Sequence, residues 1–272
     1  MNGWQALLLG LIQGLTEFLP VSSSGHLTIG REILGIEASG DLVFEVAVHA
    51  ATVLATIVVF RKEIWRLICG LFKFQYNDET DYILKICLSM IPVLLVGLFL
   101  KDKVEGLFAS LLTVGLALVV TAMLLFFSDI FSRRQDKAAV AAEPATRNGI
   151  SWWQALVIGI GQAFAVIPGL SRSGTTISTG LLCGVKRERV AQFSFLMVLV
   201  PILGEAFLDV VSGDAAASSI GTLPLIIGFF AAFVSGLFAC KLMISLVKKA
   251  KLRWFALYCA IVGLLVILYT MF

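Results

Sequence analysis

Residues 3–26, GWQALLLGLIQGLTEFLPVSSSGH, and residues 152–175, WWQALVIGIGQAFAVIPGLSRSGT, carry one pattern at two places 149 positions apart. From Trp4 to Gly35 the ungapped match gives ten identities in 32 positions, among them Gly10 with Gly159, Gln13 with Gln162, Ser22 with Ser171 and Gly35 with Gly184. Chance gives several-fold fewer, so the chain reads as two related halves. Each begins with an apolar stretch of about 16 residues and then breaks, at Pro20-Val21-Ser22-Ser23-Ser24-Gly25 and at Pro168-Gly169-Leu170-Ser171-Arg172-Ser173-Gly174. Such segments are too short to cross a bilayer and return as plain helices. They predict re-entrant helix–loop–helix segments over about 4–35 and 152–185, because non-helical backbone at membrane depth must be buried in protein or line a wet cavity.

The rest of the chain is apolar too. Hydrophobic residues make up 59% and charged residues 14% of the 272 positions, and the mean hydropathy is +0.96, which excludes an ordinary soluble domain. Spans are predicted at about 42–60, 83–100, 106–130, 190–211, 221–243 and 254–272. Those near 42, 83 and 190 are interrupted or bounded by charge. The net charge of +3 says little, since in a membrane protein the placement of charge outweighs its sum. Arg61, Lys62, Arg66, Lys73 and Lys85 are placed in one connection, Arg133 to Arg147 in a second, Lys186–Arg189 in a third and Lys241–Arg253 in a fourth. All four belong on the cytoplasmic side. The connections around Asp41, Lys101–Glu105 and Asp209–Asp214 are acidic or mixed, and alternation between the two sets puts both termini outside. Three crossings then separate the repeats, so they insert from opposite faces and their broken loops meet near the midplane.

The expected fold is therefore an all-α polytopic membrane protein, with about six transmembrane helices and two re-entrant segments in an inverted-topology repeat. Residues 1–131 form the first repeat, 132–149 a cytoplasmic linker and 150–272 the second repeat. No Lys or Arg precedes Arg31, so the first apolar segment is expected to stay in the mature protein. Cys69, Cys87, Cys183, Cys240 and Cys259 show no Cys-x-x-Cys spacing and read as small core residues.

Chemistry concentrates at the two breaks. Gln13 and Glu17 share a helix face one turn apart, and Pro20 delivers Ser22, Ser23, Ser24 and His26 just beyond that helix. In the second half Arg172 stands among Ser171, Ser173, Thr175 and Thr176 at a helix start, an arrangement suited to phosphate oxygens. The halves are complementary: Glu17 corresponds to Val166, His26 to Thr175, and Arg172 to Ser23. An ionisable group at membrane depth costs about 2.5–3.5 kcal/mol on insertion scales, so Glu17 and Arg172 are expected to pair with each other or with a ligand. A structural ion pair between the halves is the plainer reading, and the hydroxyls on both loops count against it. His26 is expected to act as nucleophile, or as base to Ser23. Glu45 and His49, one turn apart, suit an outer hydrogen-bonded pair. Ser22 and Ser24 also suit capping and loop formation, and Trp4 and Trp153 suit anchoring at the membrane interface.

The segments Gln13-Gly-Leu-Thr-Glu17-Phe-Leu-Pro-Val-Ser-Ser-Ser-Gly-His26 and Pro168-Gly-Leu-Ser-Arg-Ser-Gly-Thr-Thr176 resemble the two signatures of the undecaprenyl-diphosphatase family, the bacitracin-resistance phosphatases. The resemblance covers essentially the whole chain. It implies that Gln13 and Glu17 match the family's (Glu/Gln)-x-x-x-Glu segment, His26 and Ser23 its proposed catalytic pair, and Arg172 with Ser171 and Thr176 its pyrophosphate-binding loop. Ser22 and Ser173 stand with that loop as candidate pyrophosphate ligands. The reaction implied is hydrolysis of undecaprenyl pyrophosphate to the monophosphate and phosphate, which recycles the carrier lipid for cell-wall assembly. A divalent cation, Mg2+ or Ca2+, is implied beside Glu17 and Gln13. The expected partners are the polyprenyl pyrophosphate and bilayer lipids, with a homodimer compatible and no nucleic acid. The expected location is the bacterial cytoplasmic membrane, with the active site facing outward. The competing reading is a transporter or lipid flippase, since inverted repeats with broken helices serve transport as readily as catalysis.

Overall fold

The computed structural model describes residues 1–36, 42–100, 110–138, 147–204, 220–249 and 251–272. Ten α-helices follow in chain order among them: α1 (Gly3–Phe18), α2 (Ser23–Ile33), α3 (Leu42–Leu71), α4 (Asp78–Phe99), α5 (Leu111–Ala138), α6 (Trp152–Phe164), α7 (Arg172–Leu182), α8 (Arg187–Met197), α9 (Thr222–Lys249) and α10 (Arg253–Met271). Five contain segments long and apolar enough to cross a membrane: Val43–Leu71, Asp78–Phe99, Leu111–Arg133, Thr222–Leu246 and Arg253–Met271.

The two halves begin with the same local chemistry. Asn2 and Gln5 close a capping box on α1, and Ser151 and Gln154 close the equivalent one on α6. Gln5 Nε2 then donates to the Leu34 carbonyl at 3.2 Å, and Gln154 Nε2 to the Cys183 carbonyl at 2.9 Å. Each glutamine thus ties the start of its hairpin's first helix to the end of its second. Gly35 and Gly184 follow α2 and α7 with φ of 62° and 83°, left-handed values that favour glycine. At about 1.5 Å per residue α1 is about 24 Å long, short of a hydrocarbon layer about 30 Å thick.

Packing partners are exchanged between the halves. α1 runs alongside α9 in the same direction, Gly3 beside Ile227, Gly10 beside Gly228, and Gly14 beside Ala232 and Ser235. α6 runs alongside α4 in the same direction, with Lys85 over the Trp152 ring and Gly159 against Ser89. The contacts are backbone to backbone: a Cβ on Gly10 would lie 2.4 Å from the Gly228 carbonyl oxygen, and one on Gly159 2.4 Å from that of Ser89.

One end of the molecule collects the basic connections. Asp129, buried on α5, accepts from Arg133 at 3.0 Å, from Arg187 at 2.9 Å and from the Leu252 backbone amide at 3.3 Å. Asn148 donates to the Asp78 carbonyl at 2.7 Å and to Asp81 at 3.2 Å, and Gly149 packs on Arg189. The starts of α4, α6, α8 and α10 therefore lie with the end of α5. α9 finishes at Lys249, just before α10, so α1 runs toward this end while α6 runs away from it. The two hairpins enter from opposite ends of the molecule. Their second helices pack on the core around Leu118, Ile158, Ile177 and Phe193, and Phe18 meets Phe195 edge-on at 6.0 Å.

Several expectations change. The first span continues past residue 60 as helix to Leu71, where Arg66 pairs with Glu63 at 2.5 Å, one turn away. Lys85 lies inside α4 rather than in a connection, buried against Asp81 at 2.6 Å. The span expected at 190–211 is interrupted: α8 stops at Met197, and helical backbone resumes over 199–204. Pro201 lacks an N–H, and its ring crowds the carbonyl four residues earlier, that of Met197. Residues 205–211 of that span, 101–109, the connections at Asp41 and Asp209–Asp214, and 139–146 of the linker lie outside the described residues. All five cysteines are free; Cys240 and Cys259 are buried as expected, whereas Cys69 and Cys87 face outward.

Removing one partner of a buried charge cluster strands the others, so Asp129→Ala is expected to destabilise the protein by about 3–5 kcal/mol. Arg133, 39% exposed in its side chain, contributes through a half-solvated pair, and Arg133→Ala is expected to cost under about 1 kcal/mol. Thermal melts of both variants in one detergent check the ranking; equal losses would remove Asp129 from its central role.

Candidate active site

The first break starts at Leu19, whose backbone is extended, and reaches Ser22 at φ 71° and ψ 98°. That is a left-handed φ for a residue with a Cβ, a conformation costing about 1–3 kcal/mol unless its surroundings hold it. Ser22 is held on both sides. Its hydroxyl accepts from the Gly25 amide at 3.2 Å, and its carbonyl accepts from the His26 amide at 3.2 Å and from His26 Nδ1 at 2.8 Å. The next residue, Ser23, opens α2 and donates its hydroxyl to Glu17 Oε2 at 2.5 Å. Gln13 Nε2 donates to the same oxygen at 2.9 Å, and His49 Nε2 lies 3.9 Å from it. The Glu17 side chain is only 8% exposed, so one shielded carboxylate oxygen organises three neighbours.

The second break builds the facing wall. Ser171 caps α7 by accepting from the Gly174 amide at 3.0 Å, and its own amide donates to Thr121 Oγ1 at 3.1 Å. Ser173 Oγ donates to the Leu19 carbonyl at 3.1 Å, a hydrogen bond that joins the two breaks directly. Arg172 is half-buried, and its guanidinium has no hydrogen bond or ion pair within 4.0 Å among the described residues. Two small adjoining cavities share Glu17, Arg172 and Ser173. One is lined by Ser22, Ser23, Ser24 and Ser171, and the other runs between Phe18, Val53, Phe195, Val198 and Ile202. A hydroxyl-rich chamber therefore opens beside an apolar one, with a carboxylate and a guanidinium at their junction.

Of the residues singled out from the sequence, Gln13, Glu17, Ser22, Ser23, Ser171, Arg172 and Ser173 come together here. Glu17 and Arg172 face the same cavities without the direct ion pair expected as one alternative. Three others are placed differently. His26 lines neither cavity: Nδ1 is bound to the Ser22 carbonyl and Nε2 lies 2.8 Å from the Tyr258 hydroxyl, so it is not hydrogen-bonded to Ser23. Thr176 is buried, its hydroxyl 2.6 Å from Ser194 and 2.9 Å from the Arg172 carbonyl, and also lines neither cavity. Glu45 pairs with Arg31 at 2.7 Å, and it is the backbone carbonyl of Glu45, not its carboxylate, that holds His49 Nδ1 at 2.8 Å.

Sequence reasoning missed Tyr258, Thr121, Ser194 and the Arg31 partner of Glu45. Arg31 carried a signal, being a lone cation in the apolar N-terminal stretch. The other three did not.

Donors for a cation are few. Among the described residues no three His, Cys, Asp or Glu side chains gather as a metal cage. The Gln13 Oε1 atom, however, is buried without a hydrogen-bond partner, and its amide is tied to the Glu17 carboxylate. Glu17 faces the cavities while Gln13, fully buried, lines neither, so the described residues offer a hard cation one carboxylate on the cavity side and no self-sufficient protein site.

The family model described as bacitracin resistance protein BacA matches residues 6–265. An undecaprenyl-diphosphatase of Bacteroides fragilis is 55% identical over 271 residues, covering 98% of both chains. That of Parabacteroides distasonis is 54% identical over 275 residues, covering 100% of this chain and 99% of the relative. The Carboxydothermus hydrogenoformans protein of the same name is 39% identical, covering 98% of this chain and 97% of the relative. A match that runs nearly end to end, through both helix breaks and the carboxylate, hydroxyl and guanidinium they bring together, means that this chain belongs to the bacitracin resistance protein BacA family.

Proposed function

We propose that the chain hydrolyses undecaprenyl pyrophosphate to the monophosphate and inorganic phosphate, returning the lipid carrier to peptidoglycan synthesis and so conferring bacitracin resistance. The observation that carries this reading is the Ser23 hydroxyl donating to Glu17 at 2.5 Å, in a cavity that Arg172 also lines. No observation among the described residues favours the transport reading.

The terminal phosphate lies in the hydroxyl-rich chamber and the first isoprene units in the apolar one. Arg172 and Ser171 hold the phosphate oxygens, and the guanidinium stabilises charge that builds on them at the transition state. Glu17 takes the Ser23 proton as Ser23 Oγ attacks the terminal phosphorus. The new Oγ–P bond forms as the bond to the bridging oxygen breaks, and polyprenyl monophosphate leaves. Glu17 gives that proton to the departing monophosphate oxygen and is a carboxylate again; water then attacks the phosphoserine, its proton passing to Glu17 and on to Ser23 Oγ as phosphate leaves, which restores the hydroxyl. A divalent cation held by Glu17 would supply further charge neutralisation on the pyrophosphate. His49 stands behind Glu17, and Glu45 with Arg31 behind His49. Thr176 and Ser194 fix the first turn of α7 under Arg172.

The protein is a multi-pass membrane protein, and we place it in the cytoplasmic membrane. The basic connections gathered at one end by Asp129 and Asn148 support that end as cytoplasmic. The α1–α2 hairpin then enters from outside and the α6–α7 hairpin from the cytoplasm, with both termini outside and the site open to the outer face. The lipid partners are the polyprenyl substrate and the bilayer. The chemistry is complete within one chain, so a homodimer is compatible with it and not required.

Phosphate release from undecaprenyl pyrophosphate by the purified protein in detergent tests the activity. Ser23→Ala and Glu17→Gln are each expected to lower kcat by about 10²–10⁴-fold, and mass spectrometry of a quenched reaction should find phosphate on Ser23; undiminished turnover in both variants would sink the assignment. Arg172→Ala is expected to cost about 10²–10³-fold. Arg172→Lys should stay impaired because an ammonium does not reproduce the planar two-pronged contact; full rescue by Lys would reduce Arg172 to a point charge. A chelator should abolish turnover and added Mg2+ restore it; chelator-resistant turnover would remove the metal from the scheme.

A further inference from the structure

His26 is sandwiched between a strained loop and a helix from the other half of the chain. Its ring lies parallel to that of Tyr258 on α10, 8° apart in plane with centroids 5.6 Å apart, and Nε2 is 2.8 Å from the Tyr258 hydroxyl. On its other side Nδ1 is 2.8 Å from the Ser22 carbonyl. A carbonyl oxygen only accepts, so Nδ1 carries the hydrogen and in the neutral ring Nε2 accepts from Tyr258. Both nitrogens are thereby occupied, and neither is aimed at Ser23 or Glu17.

What the ring does hold is Ser22, the only residue of this loop in a left-handed conformation. Its carbonyl receives His26 twice, through amide and ring, and its hydroxyl receives Gly25. Ser23 follows directly, so the orientation of the Ser22–Ser23 peptide decides where the Ser23 hydroxyl points. α10 is anchored to the same loop a second time, by Cys259, whose thiol lies 3.7 Å from the Pro20 carbonyl. The arrangement is a brace: Tyr258 fixes His26, His26 fixes the Ser22 carbonyl, and Ser23 is presented to Glu17.

We infer that Tyr258 is a positioning residue for the hydrolysis, acting through His26 on the Ser22–Ser23 peptide, and that His26 is itself part of this brace and not the base for Ser23. This rests on the phosphatase reading for its kinetic consequences, while the brace itself is open to direct observation.

Full-length protein in detergent serves for both measurements. Loss of one hydrogen bond in Tyr258→Phe, with the ring kept, should lower kcat about 3–10-fold while KM stays within about twofold. His26→Asn keeps a donor where Nδ1 stood and should retain activity within about tenfold of the parent, whereas His26→Ala, which leaves the Ser22–Ser23 peptide free to shift, should fall about 100-fold. Adding Tyr258→Phe to His26→Ala should cost nothing further, because the two act in series. An acid–base role for His26 predicts instead that Asn is as damaging as Ala, and that result, parental kcat in Tyr258→Phe, or additive losses would overturn the proposal. The chain has two histidines, so nitrogen NMR of labelled imidazole resolves the rings. Tyr258→Phe should shift the His26 Nε2 resonance and leave His49 unmoved; no shift overturns the brace whatever the turnover. A parent that shows the shift and releases no phosphate would count against the phosphatase reading and leave the brace standing.

Discussion

A helix that stops within an apolar layer leaves carbonyls and amides that water cannot reach, and this protein stops two helices where they face each other. The stranded groups are satisfied largely across the break. Ser173 donates to the Leu19 carbonyl, Thr121 receives the Ser171 amide, and Ser22 and Ser171 cap the helices that resume. Everything else in the site depends on this mutual satisfaction. It draws the two loops together and leaves hydroxyls lining the chamber between them.

The halves share the scaffold and divide the chemistry. Capping boxes, the two glutamine ties and the close glycine crossings recur at equivalent positions, because any hairpin of this kind needs them. The reacting groups do not recur. Where the first half has Glu17, Ser23 and His26, the second has Val166, Arg172 and Thr175. An acid–hydroxyl pair and a guanidinium on the same loop would satisfy each other; on opposed loops joined through Ser173 and Leu19 they face a common cavity. A duplicated fold thus holds an asymmetric site, and neither half contains it alone.

The apolar chamber beside the polar one expresses the same logic toward the ligand. Glu17, Arg172 and Ser173 stand at the junction, so a charged head group and a hydrocarbon tail have separate places within a few ångströms of one carboxylate. Glu17 itself is supported from behind by Gln13 and His49, which come from α1 and α3 and leave its contact with Ser23 on the cavity side.

From the sequence alone the helical class, the internal repeat, the two breaks and the pairing of Gln13 with Glu17 were legible. All follow from local rules: hydropathy over a span length, proline and glycine at a helix end, and the four-residue turn that puts positions 13 and 17 on one face. Arg172 at a helix start was legible for the same reason. The direction in which Thr176 turns, the burial of Lys85 against Trp152, and the occupation of His26 by Tyr258, 232 residues away, were decided by packing between elements remote in the chain. A histidine three residues after a serine reads as its base; only the helix laid against it determines which way each ring nitrogen points.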